Sequence, residues 1–210
     1  MTEHEETTGA LPPGHKLMWY QLDRVLVASR FGITYQATDT NLGQGVVVRE
    51  FFRQGLAKHT ADGELKPNDS DHSDDIAWGL ERFLREVRMI AKFKHPNLAG
   101  VQTAFEPNAT GYFVMEHIAG TSLQEILRAN GRIAERDLKH LFAQLLEAVQ
   151  RIHEAKFLHL GIKSENIVMR DPLTPVLVGF GAARYGFAHR LGVLRETVAP
   201  GYAAIEQYAK

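Results

Sequence analysis

The side chains best suited to acid–base or electrostatic chemistry gather in one short segment, which contains His159, Lys163 and Asn166. The simplest interpretation is structural: the lysine and asparagine brace a loop, and the histidine packs locally. Arg49 and Glu86 form a second set, either a plain ion pair between a strand and a helix or a pair that contacts a ligand. The ten histidines lack H-E-x-x-H spacing and there is no cysteine, so we expect no metal site, cysteine nucleophile or disulfide scaffold.

The composition is that of an ordinary globular protein and predicts no nucleic-acid or membrane partner. The 210 residues have a formal net charge of −1, with 44% hydrophobic and 23% charged residues. No run approaches the roughly 18 apolar residues of a transmembrane helix. The first residues hold Glu3, Glu5 and Glu6 and lack the apolar core of a signal peptide. We therefore expect a cytoplasmic protein of one domain or two small lobes.

Hydrophobic periodicity predicts mainly strands before residue 117 and longer helices after it. Residues 1–17 are predicted to be a disordered acidic tail, and the acidic segment 58–75 a solvated surface loop. The longest predicted helix, 134–155, carries a wide apolar stripe. The other predicted elements are strands at 19–28, 31–38, 46–52, 99–106, 111–117, 166–169 and 176–178, and helices at 76–93 and 122–129.

Five segments match the motifs of one family in order and at plausible spacing. They are Val27–Gly32 with G-x-G-x-F-G, Val46–Arg49 with V-A-I-K, His159–Asn166 with H-R-D-x-K-x-x-N, Gly179–Gly181 with D-F-G, and Gly201–Glu206 with the segment that ends in A-P-E. Through these motifs the chain resembles the protein kinase family, and within it the bacterial Ser/Thr kinases. The resemblance extends from about Tyr20 to Lys210, which is most of the chain.

The resemblance implies an α+β, protein-kinase-like bilobal fold. A β-rich N-lobe would occupy 18–116, with 58–75 as a polar insert, and a truncated, mainly helical C-lobe would occupy 117–210 and end after the activation segment. It also implies a nucleotide pocket with Met115 as the gatekeeper. The implied pocket residues are Leu26, Val27, Gly32, Val47, Arg49, Glu86, Met115, Glu116, His117, Ile118 and Val168.

Two departures from the motifs replace aspartates that the family uses in phosphoryl transfer. Gly161 stands where the family has the aspartate that accepts the proton of the substrate hydroxyl. Gly179 stands where the family has the aspartate that holds magnesium. Lys163 and Asn166 are retained, but the resemblance implies that no complete catalytic set is present.

The implied pocket departs from the family as well. Val27 and Ser29 replace glycines that let backbone approach phosphates, and Val47 replaces an alanine that would lie over adenine. Arg49 replaces the lysine, with a different shape for the same charge. We expect ATP to bind weakly or not at all, and we do not expect Mg²⁺ to bind.

These departures favour a catalytically inactive pseudokinase that acts as a regulatory or binding module. The face of the 134–155 helix is the expected contact surface, for a protein partner or for self-association. One alternative is a divergent Ser/Thr protein kinase that transfers phosphate from ATP with another carboxylate, such as Glu165 or Asp171, in the place of Gly161. A second alternative is a truncated, non-functional kinase fragment.

Overall fold

The computed structural model describes residues 9–180, 184–185, 200–205 and 208. These residues divide into two compact units, one built from 9–91 with 101–117 and the other from 92–100 with the described residues after 117. The first unit is mainly β-structure. None of the helices in the described part of the chain is long and apolar enough to cross a membrane.

The first unit is built on a six-stranded antiparallel sheet. Its strands, in spatial order, are β1 (Lys16–Leu17), β2 (Tyr20–Ser29), β3 (Gly32–Asp39), β4 (Gln44–Glu50), β8 (Tyr112–Glu116) and β7 (Val101–Phe105). Because side chains alternate along a strand, Val46 and Val48 of β4 face the core with no exposed surface. Val47 and Arg49 therefore lie on the opposite face of the sheet.

Residues 9–17 and part of the polar insert are ordered, so both predictions were wrong there. Leu11 and Leu17 are buried against the first unit. Within the insert, β5 (Ala57–His59) and β6 (Leu65–Pro67) form an antiparallel hairpin. A few isolated apolar side chains anchor these segments, and without a periodic apolar pattern they could not be recognised from the sequence. Residues 1–8 of the predicted tail lie outside the described residues.

The helix of the first unit, α1 (Ser73–Ile90), begins three residues before its predicted start. Asp74 and Asp75 lie in its first turn, where acidic side chains complement the helix dipole. After α1, residues 92–100 belong to the second unit. Backbone hydrogen bonds explain this: Leu177 N donates to Asn97 O at 2.8 Å, and Ala99 N donates to Leu177 O at 3.0 Å.

The second unit combines helices with short strands. Its elements are β9 (Thr121–Ser122), α2 (Leu123–Asn130), α3 (Glu135–Glu154), β10 (Phe157–Leu158), β11 (Ile167–Asp171), β12 (Thr174–Leu177) and β13 (Arg184–Tyr185). Strands pair in the orders β12-β11-β9 and β10-β13. One face of α3 is buried, through Leu141, Leu145, Ala148 and Ile152. The predicted apolar stripe is wider than this face, and Phe142 and Leu146 remain 48% and 65% exposed.

Candidate functional site

Four of the predicted pocket residues lie on one face of the first unit's sheet. Directly paired residues of antiparallel strands share a face. Two rows of paired residues cross the sheet on that face: Val27–Thr34–Arg49–Phe113 and Gln36–Val47–Met115. The fold thus brings Val27, Val47, Arg49 and Met115 together. Their role in nucleotide binding stays a prediction.

Arg49 is buried and is held beneath the turn between β2 and β3. Only 7% of the residue is exposed, and Nη1 donates a hydrogen bond of 2.8 Å to Thr34 Oγ1. A Cβ atom at Gly32 would lie 3.1 Å from Arg49 Nη2 and only 2.5 Å from the carbonyl oxygen of Glu50. The packing of the first unit therefore requires glycine at position 32, independently of any ligand.

The turn that follows β2 is closed by Ser29. Ser29 and Gly32 are paired, which leaves Arg30 and Phe31 as a two-residue turn. Ser29 Oγ donates to Gly32 O at 2.9 Å and accepts from Phe31 N at 3.4 Å. The serine hydroxyl thus accepts a hydrogen bond from the Phe31 amide within the turn. Nearby, Val27 is 56% exposed, and Leu26 lies at an irregularity of β2 with 38% exposure.

Glu86 is buried on α1 and contacts a residue of its own helix. It is 8% exposed, and its Oε1 accepts a hydrogen bond of 3.1 Å from Arg82 Nε. The Arg82 guanidinium also lies 5.6 Å from the ring centre of Trp78, one turn earlier. Trp78, Arg82 and Glu86 are spaced four residues apart, so each contacts the next along one side of α1.

The predicted pocket residues 115–118 are divided between the two units. Met115 is buried in β8, where Glu116 also lies, and the His117 ring lies beside Gly45. Ile118 belongs to the second unit. There it joins a small apolar cluster with Ala99 and Val176, against which the predicted pocket residue Val168 packs.

His159, the first residue of the segment that matches H-R-D-x-K-x-x-N, is a buried structural residue. Its ring lies edge-on to Phe180, with the ring centres 4.8 Å apart. Nδ1 accepts a hydrogen bond of 3.2 Å from Gly161 N, which places the ring proton on Nε2. Burial lowers the pKa of His159 to about 4. The imidazole is therefore neutral at pH 7 and braces the loop, in agreement with the packing role predicted for it.

Asn166 occupies the space between the two glycines that replace aspartates. Its Nδ2 donates a hydrogen bond of 2.7 Å to Gly161 O. A Cβ atom at Gly179 would fall 2.7 to 2.8 Å from three atoms of the Asn166 side chain, and Gly179 has a φ of +82°. A Cβ atom at Gly161 would meet only ordinary contacts, at 3.4 Å or more. The two positions therefore differ: the loop has room for a side chain at 161 but not at 179.

Lys163 and Ser164 contact neighbours within the same unit. Lys163 Nζ lies 3.4 Å from Glu165 Oε2. Ser164 Oγ donates to Gln124 Oε1 in a short hydrogen bond and lies 2.7 Å from Tyr202 Oη. Ser164 and Tyr202 lie in motif-matched segments, but the motifs assign them no role, and Gln124 lies outside them, because a motif does not show contacts between separate segments. Together they tie the loop to α2 and to the segment around Tyr202.

The donor set of this loop does not fit a magnesium ion. Mg²⁺ in such sites is held through carboxylates and substrate phosphates. Asn166 offers one amide oxygen, while Gly161 and Gly179 offer only backbone atoms. In the described ranges, no group of three or more His, Cys, Asp or Glu residues is arranged to hold a metal ion.

The sheet of the first unit, the loop of the second and their motif positions define a protein-kinase-like fold. The family model described as "Protein kinase domain" matches residues 36–207, and the chain belongs to this family. The match begins inside β3 and includes the loop that contains Gly161 and Asn166. Val27 and Gly32 lie before it.

Several known proteins are similar to this chain. Serine/threonine-protein kinase cds1 of Schizosaccharomyces pombe is 27% identical over 89% of this chain and 38% of its own length. The probable serine/threonine-protein kinase PknB of Bifidobacterium longum is 28% identical over 79% of this chain and 23% of its own length. The solved structure "PpkA-294 apo form" has a TM-score of 0.76 and 29% identity, and covers 96% of this chain and 72% of its own. The chain thus spans well under half the length of these curated relatives.

Proposed function

We propose that this chain is a catalytically inactive member of the protein kinase family, a pseudokinase that works by binding. The observation that carries the proposal is the arrangement around Asn166. Its side chain bonds to Gly161 O and lies where a side chain at Gly179 would begin. The positions of both missing aspartates therefore lie against one amide, which can neither accept a proton from a substrate hydroxyl nor replace a metal carboxylate.

The size of the expected loss in catalytic rate supports an inactive module. A positioned general base typically contributes about 10²- to 10⁴-fold to the rate of a reaction. In phosphoryl transfer, metal ions also bridge the phosphates and neutralise the charge that develops on them. Loss of both aspartates removes these contributions together. Lys163 and Asn166 have structural contacts of their own, which explains their presence without catalysis.

The exposed face of α3 is the proposed contact surface. Phe142 and Leu146 lie one turn apart beside the buried face of the helix and are 48% and 65% exposed. Adjacent exposed apolar side chains on a helix favour association with another surface. We propose that this face binds a protein partner or a second copy of the chain.

The test of inactivity combines nucleotide titration with a transfer assay. ATP titrated into the purified chain should give little or no heat of binding, with or without Mg²⁺. Incubation with γ-labelled ATP and a basic protein acceptor should give no more product than the Asn166→Ala variant gives. Transfer by the wild-type chain that is lost in both Lys163→Ala and Asn166→Ala would overturn the proposal and support the divergent kinase.

A gain-of-function pair refines the same test. The Cβ atom of Gly161→Asp would meet only ordinary contacts, so we expect the backbone of the loop to accept this substitution, and thermal unfolding checks that the variant is folded. It should remain inactive, since it restores the proton acceptor without the metal carboxylate. The matched variant Gly161→Asn has the same size and no carboxylate. Transfer by the aspartate variant alone would show that the remaining residues already hold a metal, and that the glycine at position 161 is enough to make the wild-type chain inactive.

A further inference from the structure

A buried carboxylate lies at the end of β4, immediately after Arg49. Glu50 has no exposed surface. Its Oε2 accepts a hydrogen bond of 2.7 Å from Tyr35 Oη, and its Oε1 accepts one of 2.8 Å from Tyr112 Oη. His59 Nε2, from β5, lies 2.7 Å from the same Oε1 atom. We call these four residues the Glu50 clasp.

The clasp holds the N-terminal strap, which we define as residues 9–17. His59 Nδ1 lies 2.7 Å from the carbonyl oxygen of Gly9, and Leu11 N donates to Tyr35 Oη at 3.1 Å. Leu11 itself is buried. Gly9 is therefore linked to the Glu50 carboxylate through His59, and Leu11 is linked to it through Tyr35.

The hydrogen-bond geometry requires a proton between His59 and Glu50. A backbone carbonyl only accepts, so His59 Nδ1 must carry hydrogen to bond Gly9 O. Tyr35 Oη accepts from Leu11 N and donates its one proton to Glu50, and burial keeps the pKa of Tyr35 and of Tyr112 far above the ordinary range. The contact of His59 Nε2 with Glu50 then needs a further proton on one of these two groups.

A second histidine, His15, lies on the strap beside the β5–β6 turn. Part of the His15 ring is enclosed against the β5–β6 turn, where a Cβ atom at Gly63 would come within 2.5 Å of it. Within the described chain its buried Nε2 has no hydrogen-bond partner. Burial lowers the pKa of His15, and the His59 charge lowers it further, while Glu50 opposes them. The titratable groups around the clasp are thus Tyr35 on β3, Glu50 on β4, His59 on β5, Tyr112 on β8 and His15 on the strap.

We propose that the N-terminal strap is a proton-dependent latch, which docks when the His59–Glu50 pair holds its proton and His15 is neutral. The strap releases when the His59–Glu50 pair loses its proton or when His15 gains a proton. The device does not depend on whether the chain transfers phosphate. Because Glu50 follows Arg49 in β4, it links the state of the strap to the strand that carries the predicted pocket face.

Rising pH weakens docking of the strap through His59, and falling pH weakens it through His15. Bonding to Glu50 and Gly9 raises the pKa of His59 despite its burial. Its contribution is therefore complete below the ordinary histidine value of about 6.5 and is lost as pH rises through the raised value. The pKa of His15 is lowered, so its contribution is present above about 6.5 and is lost as pH falls through the lowered value. Docking should have a maximum near pH 6.5.

Hydrogen exchange of the strap in the full chain, measured by mass spectrometry from pH 5 to pH 9, tests the latch. After correction for intrinsic exchange rates, protection of residues 9–17 should form a bell-shaped profile. Each limb should change by up to tenfold per pH unit, the limit for one linked proton. Protection that is constant over this range would overturn the proposal.

Variants assign the two limbs. His59→Arg keeps a permanent positive charge and should retain the strap while the alkaline limb disappears. His15→Gln should remove the acid limb alone. The matched control His140→Gln changes an exposed histidine on α3 and should keep both limbs. An unchanged alkaline limb in His59→Arg would overturn the proposal.

A direct measurement keeps the proposal testable if a variant fails to fold. Ring ¹⁵N shifts of the wild-type chain at pH 6.5, where docking should be maximal, should show His59 with a proton at both nitrogens, or sharing one with Glu50, and His15 with one proton. A singly protonated His59 with a free Nε2 lone pair would contradict the latch.

Discussion

At the scale of single residues, the two glycines beside Asn166 should respond differently to substitution. Gly179→Ala should lower the free energy of unfolding by about 2–3 kcal/mol, because the new Cβ atom meets the Asn166 side chain at a positive φ. Gly161→Ala should change it by about 0.5 kcal/mol or less, since its contacts are ordinary. Urea unfolding monitored by circular dichroism measures both values.

A double substitution separates steric overlap from backbone strain at Gly179. In the Asn166→Ala background, Gly179→Ala should cost only the strain of about 1 kcal/mol, because the overlapping side chain is gone. Equal costs in the two backgrounds would show that Asn166 does not fill this space.

Residue identities in the site were predictable where a motif fixes the position. The H-R-D-x-K-x-x-N pattern located Gly161 and Asn166, and the D-F-G pattern located Gly179. The hydrogen bond from Asn166 to Gly161 O was not predictable, because a motif gives order along the chain and no side-chain orientation. Glu50 was missed for a different reason: a buried carboxylate contradicts the usual pattern of burial, and its partners Tyr35 and Tyr112 lie 15 and 62 residues away in sequence.

At the scale of secondary-structure elements, the start of α2 depends on a capping box. Glu125 N donates to Ser122 Oγ at 3.2 Å, and Ser122 N donates to Glu125 Oε2 at 2.8 Å. Ser122→Ala should lower the free energy of unfolding by about 1 kcal/mol, since one backbone donor loses its acceptor. Chemical denaturation measures the loss, and Ser122→Thr, which keeps the hydroxyl, should lose much less. Equal stability of the alanine variant and the wild type would refute the capping role.

The exposed face of α3 provides the second prediction at this scale. Leu146→Lys should change the free energy of unfolding by about 0.5 kcal/mol or less, because Leu146 is 65% exposed, yet it should abolish self-association or partner binding. Sedimentation velocity tests self-association, and affinity capture tests partner binding. His140→Lys introduces the same charge at an exposed position on another side of α3 and serves as the control. Association that survives Leu146→Lys and Phe142→Ser together would exclude this face.

Periodic elements were predicted well and aperiodic ones were not. The predicted helix 134–155 matches α3 within one residue at each end, because a sustained apolar period dominates its sequence. The β5–β6 hairpin has only three residues in each strand, and its sequence resembles a solvated loop. Its place is set by Leu65 and by the contacts of His59, which depend on distant parts of the chain.

At the scale of the whole molecule, acid stability should depend on His159. Its folded pKa of about 4 lies below the ordinary value of about 6.5, so the unfolded chain binds a proton between these values and the folded chain does not. The stability associated with neutral His159 is complete above pH 6.5 and should fall by about 3 kcal/mol as pH falls to 4.

Urea midpoints at pH 7.5 and pH 4.5 measure this dependence. His159→Gln should be less stable at pH 7.5 but should show a smaller loss on acidification. His140→Gln should behave like the wild type, because that histidine is exposed. The same acid dependence in wild type and His159→Gln would assign the effect to other groups.

The N-terminal strap also determines how the first unit would respond to mechanical force. A pull on the N-terminal end would load the contacts at Gly9 and Leu11 before it reached β1, so they would break one after another, as in unzipping, and at low force. The contact at Leu11 is with Tyr35, whose hydroxyl bonds Glu50 beside Arg49. Tension on the strap would therefore be carried into β4, a central strand of the sheet.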